Sequence, residues 1–197
     1  MSDPETLAVY AAQADRYAVM SKEATARDPI LSDFITAIPP AGDVLDLGCG
    51  PGDSARIMAA AGLKVLAVDA VAEMVTRAAQ QHGVTAVQRT FDDIDGANLY
   101  DGIWANFSLL HAPRGDLPRI LKALHTTLRT NGRFHIGMKL GTDTKRDAIG
   151  RAYTYVTQDE LYDLLSSAGF TITKTVTGRD KGLDGTYADW IAVAADA

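Results

Sequence analysis

The stretch that decides the fold is Asp43-Val44-Leu45-Asp46-Leu47-Gly48-Cys49-Gly50-Pro51-Gly52-Asp53-Ser54. Its apolar run predicts a strand that ends in a glycine turn and the start of a helix, which is how open α/β sheets build a ligand crevice. Asp53 and Ser54 already supply capping oxygens at that helix start, and Pro51 removes one N–H donor, so the turn is poorly suited to a phosphate. Asp46 adds a carboxylate just before the turn. A glycine loop between two acids favours a cationic ligand.

Length and composition predict one globular domain. The chain has 197 residues, of which 47% are hydrophobic, and a net charge of −6. We expect a single domain over 1–197, with a helical cover over 1–40 and the core over 41–197. Scattered basic residues and the acidic balance argue against a nucleic-acid partner, and the chain has no apolar run long enough to cross a membrane. A single cysteine and an N-terminus unlike a signal peptide indicate a soluble, cytoplasmic protein.

Strand and helix patterns alternate along the rest of the chain. Leu7, Tyr10, Ala14 and Tyr17 lie three or four positions apart, so they share one face of a predicted helix over 4–20. Asp28-Pro29 begins a second helix that runs to residue 37. Further helices are predicted over 53–61, 71–82, 115–129 and 159–167, and further strands over 64–68, 84–88, 100–105, 133–139, 170–177 and 187–194. Residues 139–157 are predicted to be a polar loop.

Asp69 ends the second predicted strand. An acid at this point can accept hydrogen bonds from both ribose hydroxyls of a nucleoside that lies across the first strand. The alternative is that Asp69 only caps the following helix.

Several motifs resemble those of the class I S-adenosylmethionine-dependent methyltransferases. Asp46-x-Gly48-x-Gly50-x-Gly52 looks like their first motif, and Tyr100-Asp-Gly-Ile-Trp104 looks like the start of their fourth strand. Thr130-Asn131-Gly132 departs from the family's Leu-x-Pro-Gly-Gly turn, but Asn131 tolerates the left-handed conformation of a glycine. The resemblance covers about 30–194. It implies an α/β, Rossmann-like three-layer sandwich whose seven-stranded sheet is mostly parallel and ends in an antiparallel C-terminal hairpin.

The resemblance also implies S-adenosylmethionine as cofactor and S-adenosylhomocysteine as product. In this resemblance the acids would bind the cationic and hydroxyl groups of the cofactor, and the glycines would let the backbone approach it closely. Residues after the second and third strands would contact the adenine. The alignment leaves open whether Asp92 or Asp93 is the acid that reads the adenine edge. The predicted cofactor-binding residues are Asp46, Gly48, Cys49, Gly50, Gly52, Asp69, Ala70, Met74, Phe91, Asp92 and Asn106.

The acceptor is expected at the tip of the fourth strand, which faces the first across the crevice. His111 falls there and could take a proton from an acceptor at neutral pH, so it is the candidate catalytic residue. Tyr10 and Tyr17, on the helical cover, and Arg151 and Tyr153, in the polar loop, are the candidate substrate-binding residues. For each of them the alternative is an ordinary role in packing, turns or solvation.

We therefore predict direct in-line methyl transfer to a small-molecule acceptor, without a metal or a covalent enzyme intermediate. The alternatives are a non-catalytic S-adenosylmethionine-binding module and an NAD-dependent oxidoreductase. Paired acids around the loop and the absence of a Tyr-x-x-x-Lys pair argue against the oxidoreductase. A nucleic-acid methyltransferase that acts on an exocyclic amine typically has an Asn/Asp-Pro-Pro-aromatic motif at the fourth strand, where residues 106–109 of this chain read Asn-Phe-Ser-Leu. The residues leave open the acceptor atom and whether the protein is a monomer or a homodimer.

Overall fold

The computed structural model describes residues 3–197. The helices are α1 (Pro4–Ala12), α2 (Ala14–Thr25), α3 (Pro29–Ala37), α4 (Asp53–Ala60), α5 (Ala72–Ala78), α6 (Leu117–Thr127) and α7 (Gln158–Ala168). The strands are β1 (Asp43–Leu47), β2 (Lys64–Asp69), β3 (Val84–Gln88), β4 (Tyr100–Asn106), β5 (Leu128–Lys139), β6 (Thr144–Arg146), β7 (Ala152–Thr154), β8 (Thr171–Lys181) and β9 (Tyr187–Asp196). No helix within 3–197 has the length and apolar character needed to span a bilayer.

Seven strands form one sheet in the order β3-β2-β1-β4-β5-β9-β8. β1 pairs in parallel with β2 on one side and β4 on the other, so Leu45 lies opposite both Leu66 and Ile103. β9 runs antiparallel to β5 and to β8. The predicted fold class, with its mostly parallel sheet and antiparallel closing hairpin, is confirmed. The strand order reverses between β1 and β4, where α/β sheets place their ligands.

Alternate residues of β1 face the two helical layers. Val44 packs with Phe34 of α3 and Met58 of α4. Leu45, on the opposite face, belongs to the cluster that includes Leu121 of α6 and the buried side chains of α7. Each such aliphatic side chain contributes about 1.5–3 kcal/mol when fully buried. This double burial makes β1 a rigid base for the loop that follows it.

Three local predictions need correction. The helix predicted over 4–20 is two helices, because the chain leaves the helical conformation at Gln13 (φ −106°, ψ 13°). The helix predicted over 71–82 ends at Ala78 and gives way to a turn that Gly83 closes with φ +78°. The loop predicted over 139–157 contains the β6–β7 hairpin, a separate two-stranded sheet.

The turn before the parallel part of β5 confirms one prediction. Asn131 has φ +61°, so an asparagine does take the left-handed conformation there. The register between β4 and β5 shifts around this turn, and regular pairing resumes at Gly102 opposite Arg133.

Candidate active site

A cavity opens at the carboxyl ends of β1, β2 and β4 and is covered by α1 and α2. Its walls come from the glycine loop, from the segments that follow β2, β3 and β4, and from the two N-terminal helices. The lining residues are Asp3, Thr6, Leu7, Tyr10, Tyr17, Leu47, Gly48, Gly50, Asp69, Ala70, Val71, Met74, Arg89, Thr90, Phe91, Phe107, Ser108 and His111.

The glycine loop lies in contact with the tip of β4 and with α5. Gly48 has φ +72°, and a Cβ added there would lie 2.3 Å from the Cβ of Ser108, so no other residue fits. A Cβ on Gly52 would lie 2.8 Å from the Cα of Ala78, so this glycine allows the loop to pack on α5. Gly48 and Gly50 line the cavity, whereas Gly52 does not.

Cys49 is buried beneath the loop and also lies outside the cavity lining. Its thiol contacts the Gly50 carbonyl oxygen at 3.4 Å. Burial raises the pKa of the thiol, and the nearby acids Asp46 and Asp69 raise it further. Cys49 is therefore a packed, neutral side chain.

Asp69 lines the cavity and connects the tip of β2 to the glycine loop. Its Oδ2 accepts the N–H of Gly50 at 2.9 Å, and its Oδ1 accepts the N–H of Val71 at 2.9 Å. Burial raises the pKa of the carboxyl despite these bonds. Because a carboxylate has about four acceptor positions, Asp69 can still accept a hydrogen bond from a ligand hydroxyl.

Asp46 is buried behind the loop, outside the cavity lining. Its Oδ2 has no hydrogen-bond partner among residues 3–197. Burial raises the pKa of Asp46 to about 8, and the charge of Asp69 contributes to the rise. Two carboxyl groups thus lie near each other at the loop, which favours a cationic ligand over an anionic one.

Residues after β2 and β3 form the end of the cavity that lies away from the tip of β4. Ala70, Met74 and Phe91 line it, as their predicted role requires, together with Arg89 and Thr90. These side chains offer an apolar surface with a polar edge, which suits an aromatic ring.

The two acids predicted as alternatives for this end lie elsewhere. Asp92 is directed outward and forms an ion pair with Arg119. Asp93 accepts the backbone N–H of Thr90 at 2.7 Å, in a capping box that closes the short 3-10 turn Phe91–Asp93. Neither side chain lines the cavity.

Asn106 also points away from the cavity. Its Oδ1 lies 3.0 Å from Nε2 of His135, whose ring stacks on Trp104. Phe107, which has φ +54°, and Ser108 line the cavity instead. The hydroxyl of Ser108 is buried without a hydrogen-bond partner among residues 3–197.

His111 lines the cavity with both ring nitrogens engaged. Nδ1 lies 2.7 Å from the carbonyl oxygen of Ala152, and Nε2 lies 2.8 Å from the hydroxyl of Tyr10. Because a carbonyl oxygen only accepts, Nδ1 carries the proton and Nε2 accepts from Tyr10. Burial lowers the pKa of His111 to about 4, and the charges of Arg151 and Lys139 lower it further. The ring is therefore neutral at pH 7.

The four predicted substrate-binding residues separate into two pairs. Tyr10 and Tyr17 line the cavity, with ring centroids 5.4 Å apart in an edge-to-face contact. Arg151 and Tyr153 are buried behind His111 and do not line it. Arg151 donates to the Tyr10 hydroxyl at 2.9 Å and forms a buried ion pair with Asp147.

The β6–β7 hairpin holds α1 over the cavity. Arg146 donates to both carboxylate oxygens of Asp3 at 2.9 Å, and the N–H of Ala152 donates to the hydroxyl of Thr6 at 2.8 Å. Sequence reasoning did not assign Asp3 or Thr6 to the site. The helical period that selected Tyr10 also contains Thr6 four positions earlier, but the partner hairpin was not predicted.

Comparison with known proteins identifies the domain. Residues 44–132 match the model of a methyltransferase domain family. A malonyl-[acyl-carrier protein] O-methyltransferase from Pseudescherichia vulneris is 36% identical over 97 residues. That match covers 45% of this chain, and the chain spans about a third (36%) of that enzyme's length.

Solved structures extend the similarity over the whole chain. A 1,6-didemethyltoxoflavin-N1-methyltransferase from Burkholderia thailandensis, solved with S-adenosylhomocysteine, has a TM-score of 0.76 and 25% identity, covering 100% of this chain and 91% of that one. A SAM-dependent methyltransferase from Methanosarcina mazei has a TM-score of 0.73 and 17% identity, covering 86% and 97% of the two chains. Residues 44–132 therefore form a methyltransferase domain, and the chain has the fold of S-adenosylmethionine-dependent methyltransferases.

Proposed function

We propose that the protein transfers the methyl group of S-adenosylmethionine to a small-molecule acceptor. The observation that carries this proposal is that the glycine loop and Asp69 line one side of the cavity, while α1 and α2 cover the same cavity. A ligand at the loop and an acceptor next to it would both lie under the helical cover.

The residues of the cavity fit S-adenosylmethionine. Gly48 and Gly50 leave room for close approach, and Asp69 has acceptor positions free for the ribose hydroxyls. Ser108, in the cavity wall, and Asp46, behind the loop, hold buried oxygens with no partner among residues 3–197. The ligand's amino group would bind Ser108 directly and Asp46 through water. Met74 and Phe91 would border the adenine.

When bound, S-adenosylmethionine supplies a methyl group on a positively charged sulfur. The protein then has to hold the acceptor in line and exclude water, and such positioning can lower a barrier by about 7–11 kcal/mol in favourable cases. Tyr10, Phe107 and His111 line the cavity on the side of the β4 tip, where the acceptor would lie. A general base is an addition to this effect, typically worth 10²- to 10⁴-fold.

The enclosure supports a small acceptor. Asp3, the N-cap of α1, and Thr6 are bound to the β6–β7 hairpin, which holds α1 over the cavity and leaves less room for a macromolecular acceptor. The net charge of −6 is consistent with an acceptor other than nucleic acid. The buried free thiol of Cys49 is consistent with the reducing cytoplasm, where we place the protein.

Label transfer tests this function. The protein is incubated with S-adenosylmethionine carrying a labelled methyl group and a panel of small phenols, alcohols, carboxylic acids and N-heterocycles. The proposal requires label in a low-mass product together with stoichiometric S-adenosylhomocysteine. Cofactor binding without label transfer to any small molecule would instead indicate a non-catalytic binding module.

A further inference from the structure

Helix α1 is held over the cavity mainly by polar contacts. We propose that α1 is a lid that swings away at Gln13 to admit and release the cofactor, and that Tyr10 and Arg146 are positioning residues that hold it closed. This inference rests on the proposed function, because it concerns ligand exchange at the same cavity, and it goes further by naming how that cavity opens.

The closed cavity is too small for an adenosyl ligand, although the chemistry of its walls suits one. Its volume is about 80 Å³, whereas ligand sites in proteins usually enclose about 300–1,000 Å³. Even benzene is bound in an engineered cavity of about 150 Å³, and an adenosyl compound is far larger than benzene. Part of the wall therefore has to move before the cofactor can enter.

α1 has little apolar anchorage. Thr6 is its only buried residue, whereas α6 buries five. Leu7 and Tyr10 are partly buried in a small cluster around Val71 and Met74, apart from the two larger clusters of the core. Because buried apolar area supplies most of the stability of an element, a helix with so little of it opens more easily than the sheet. α1 can therefore move without disturbing the sheet beneath the cavity.

The break between α1 and α2 gives α1 a pivot. Gln13 leaves the helical conformation there, with φ −106° and ψ 13°. Beyond the break, Ala14 is buried, and Asp15 of α2 pairs with Arg77 of α5 at 2.6 Å. Conformational changes are commonly absorbed by a few residues at the end of an element. α1 can thus swing at Gln13 while α2 stays on the body of the protein.

One fully bonded hydroxyl joins α1 to the segments that follow β4 and precede β7. The Tyr10 hydroxyl donates to Nε2 of His111 at 2.8 Å and accepts from Nη1 of Arg151 at 2.9 Å. Tyr153 also donates to it, so its one proton and its two accepting positions are all used. Asp147 fixes Arg151 through a buried ion pair at 2.7 Å. The Tyr10 hydroxyl therefore holds the lid and has no bond left for the acceptor.

A second set of contacts lies at the N-terminal end of α1. Arg146 of β6 donates to both carboxylate oxygens of Asp3 at 2.9 Å, and its Nη1 lies 3.2 Å from Oε2 of Glu5. This guanidinium holds the pKa of Asp3 well below its usual range. The Arg146 side chain is 43% exposed, so salt screens these pairs, whereas it screens the buried contacts of Tyr10 much less.

The experiment measures ligand exchange and helix opening in the full chain. Association and dissociation rates of S-adenosylhomocysteine come from surface plasmon resonance, and opening of residues 4–12 comes from hydrogen–deuterium exchange. Tyr10→Phe removes the hydroxyl and keeps the ring, and Arg146→Gln removes the exposed ion pairs. Tyr162→Phe and Lys174→Gln are the matched controls, because both side chains have their partners outside the cavity lining. Each protein is measured in about 0.1 M and about 1 M salt, between which the screening length falls from about 10 Å to about 3 Å.

We expect both rates to rise at least about fivefold in Tyr10→Phe and at least about twofold in Arg146→Gln, and neither to change in the controls. The affinity should change less than the rates, because the same contacts close the lid with and without ligand. The amides of α1 should exchange faster than those of β1, and faster still in the two lid variants. High salt should raise the rates of the wild type more than those of Arg146→Gln.

Rates and α1 exchange that stay at wild-type values in both lid variants, or that rise equally in the controls, would overturn the proposal. So would α1 amides that exchange as slowly as those of β1. If Tyr10→Phe does not fold, Arg146→Gln and the salt comparison still decide. If the wild-type chain binds neither S-adenosylmethionine nor S-adenosylhomocysteine, the proposed function itself fails, and deuterium exchange still decides whether α1 opens.

Discussion

Replacing Asp69 by asparagine should weaken cofactor binding more than any other single loss of charge at the site. In the protein the Asp69 carboxylate accepts the backbone N–H groups of Gly50 and Val71, one on each oxygen, and would also accept a ribose hydroxyl. Asparagine keeps one accepting oxygen and places an N–H₂ group against one of the two backbone donors. A hydrogen bond to a charged group contributes about 1.5–3 kcal/mol, so one such loss corresponds to about a 10- to 150-fold weaker affinity.

The assay is titration calorimetry with S-adenosylhomocysteine at 25 °C, on protein shown to be folded by circular dichroism. The second check is thermal stability, because the backbone N–H left without a partner costs about 1–3 kcal/mol. Asp163→Asn is the matched control, since Asp163 is an exposed acid on α7, away from the cavity lining. An Asp69→Asn variant that is folded and binds within twofold of wild type would refute the ribose role.

Three other predictions follow from the same geometry. Gly48→Ala should lower the free energy of unfolding by at least about 2 kcal/mol, because alanine at this positive φ is strained and its Cβ would overlap Ser108. Gly62→Ala is the control: Gly62 also has a positive φ (+91°) but nothing lies within 4 Å of an added Cβ, so only the backbone strain should lower its stability, and urea denaturation compares the two variants. Asp92→Asn should change S-adenosylhomocysteine affinity less than twofold, because its carboxylate pairs with Arg119 outside the cavity; a tenfold loss would restore its predicted adenine contact. The pKa of Asp46 is raised to about 8, so the folded protein binds a proton that the unfolded chain, with a pKa near 3.8, has released. Stability of the cofactor-free protein should therefore fall as pH rises from 4 to 8, and Asp46→Asn should reduce that slope in thermal melts; an unchanged slope would contradict the raised pKa.

The sequence predicts the fold because the patterns that indicate it lie within short segments of the chain. The apolar run of β1, the glycines after it and the alternation of later segments indicate a parallel sheet without knowledge of distant contacts. The break at Gln13 had no comparable signal, since no proline or glycine marks it. The β6–β7 hairpin was missed for the same reason. Its strands are three residues each, and their polar side chains are stabilised by contacts with α1.

The sequence predicts site residues best where they lie at or just after the ends of the parallel strands. Asp69, Gly48 and His111 line the cavity because the register of parallel strands places their ends together. Asn106 was predicted as a cofactor-binding residue, but its side chain lies outside the cavity lining. The left-handed conformation of Phe107 reverses the chain there, so Asn106 faces His135 while Phe107 and Ser108 face the cavity.

Two other parts of the site depend on contacts that the sequence does not reveal. The 3-10 turn at Phe91–Asp93 rotates Asp92 outward, where it pairs with Arg119 of α6. Arg151 and Tyr153 are near the site but behind it, because α1 contributes Tyr10 as the group that meets the cavity.

The central claim is that this cavity receives a sulfonium nucleoside and its demethylated product. Calorimetry of the purified chain with S-adenosylmethionine, S-adenosylhomocysteine and NAD tests it most directly. We expect one molecule of either adenosyl compound to bind per chain, and no binding of NAD. Binding of NAD alone would contradict the account.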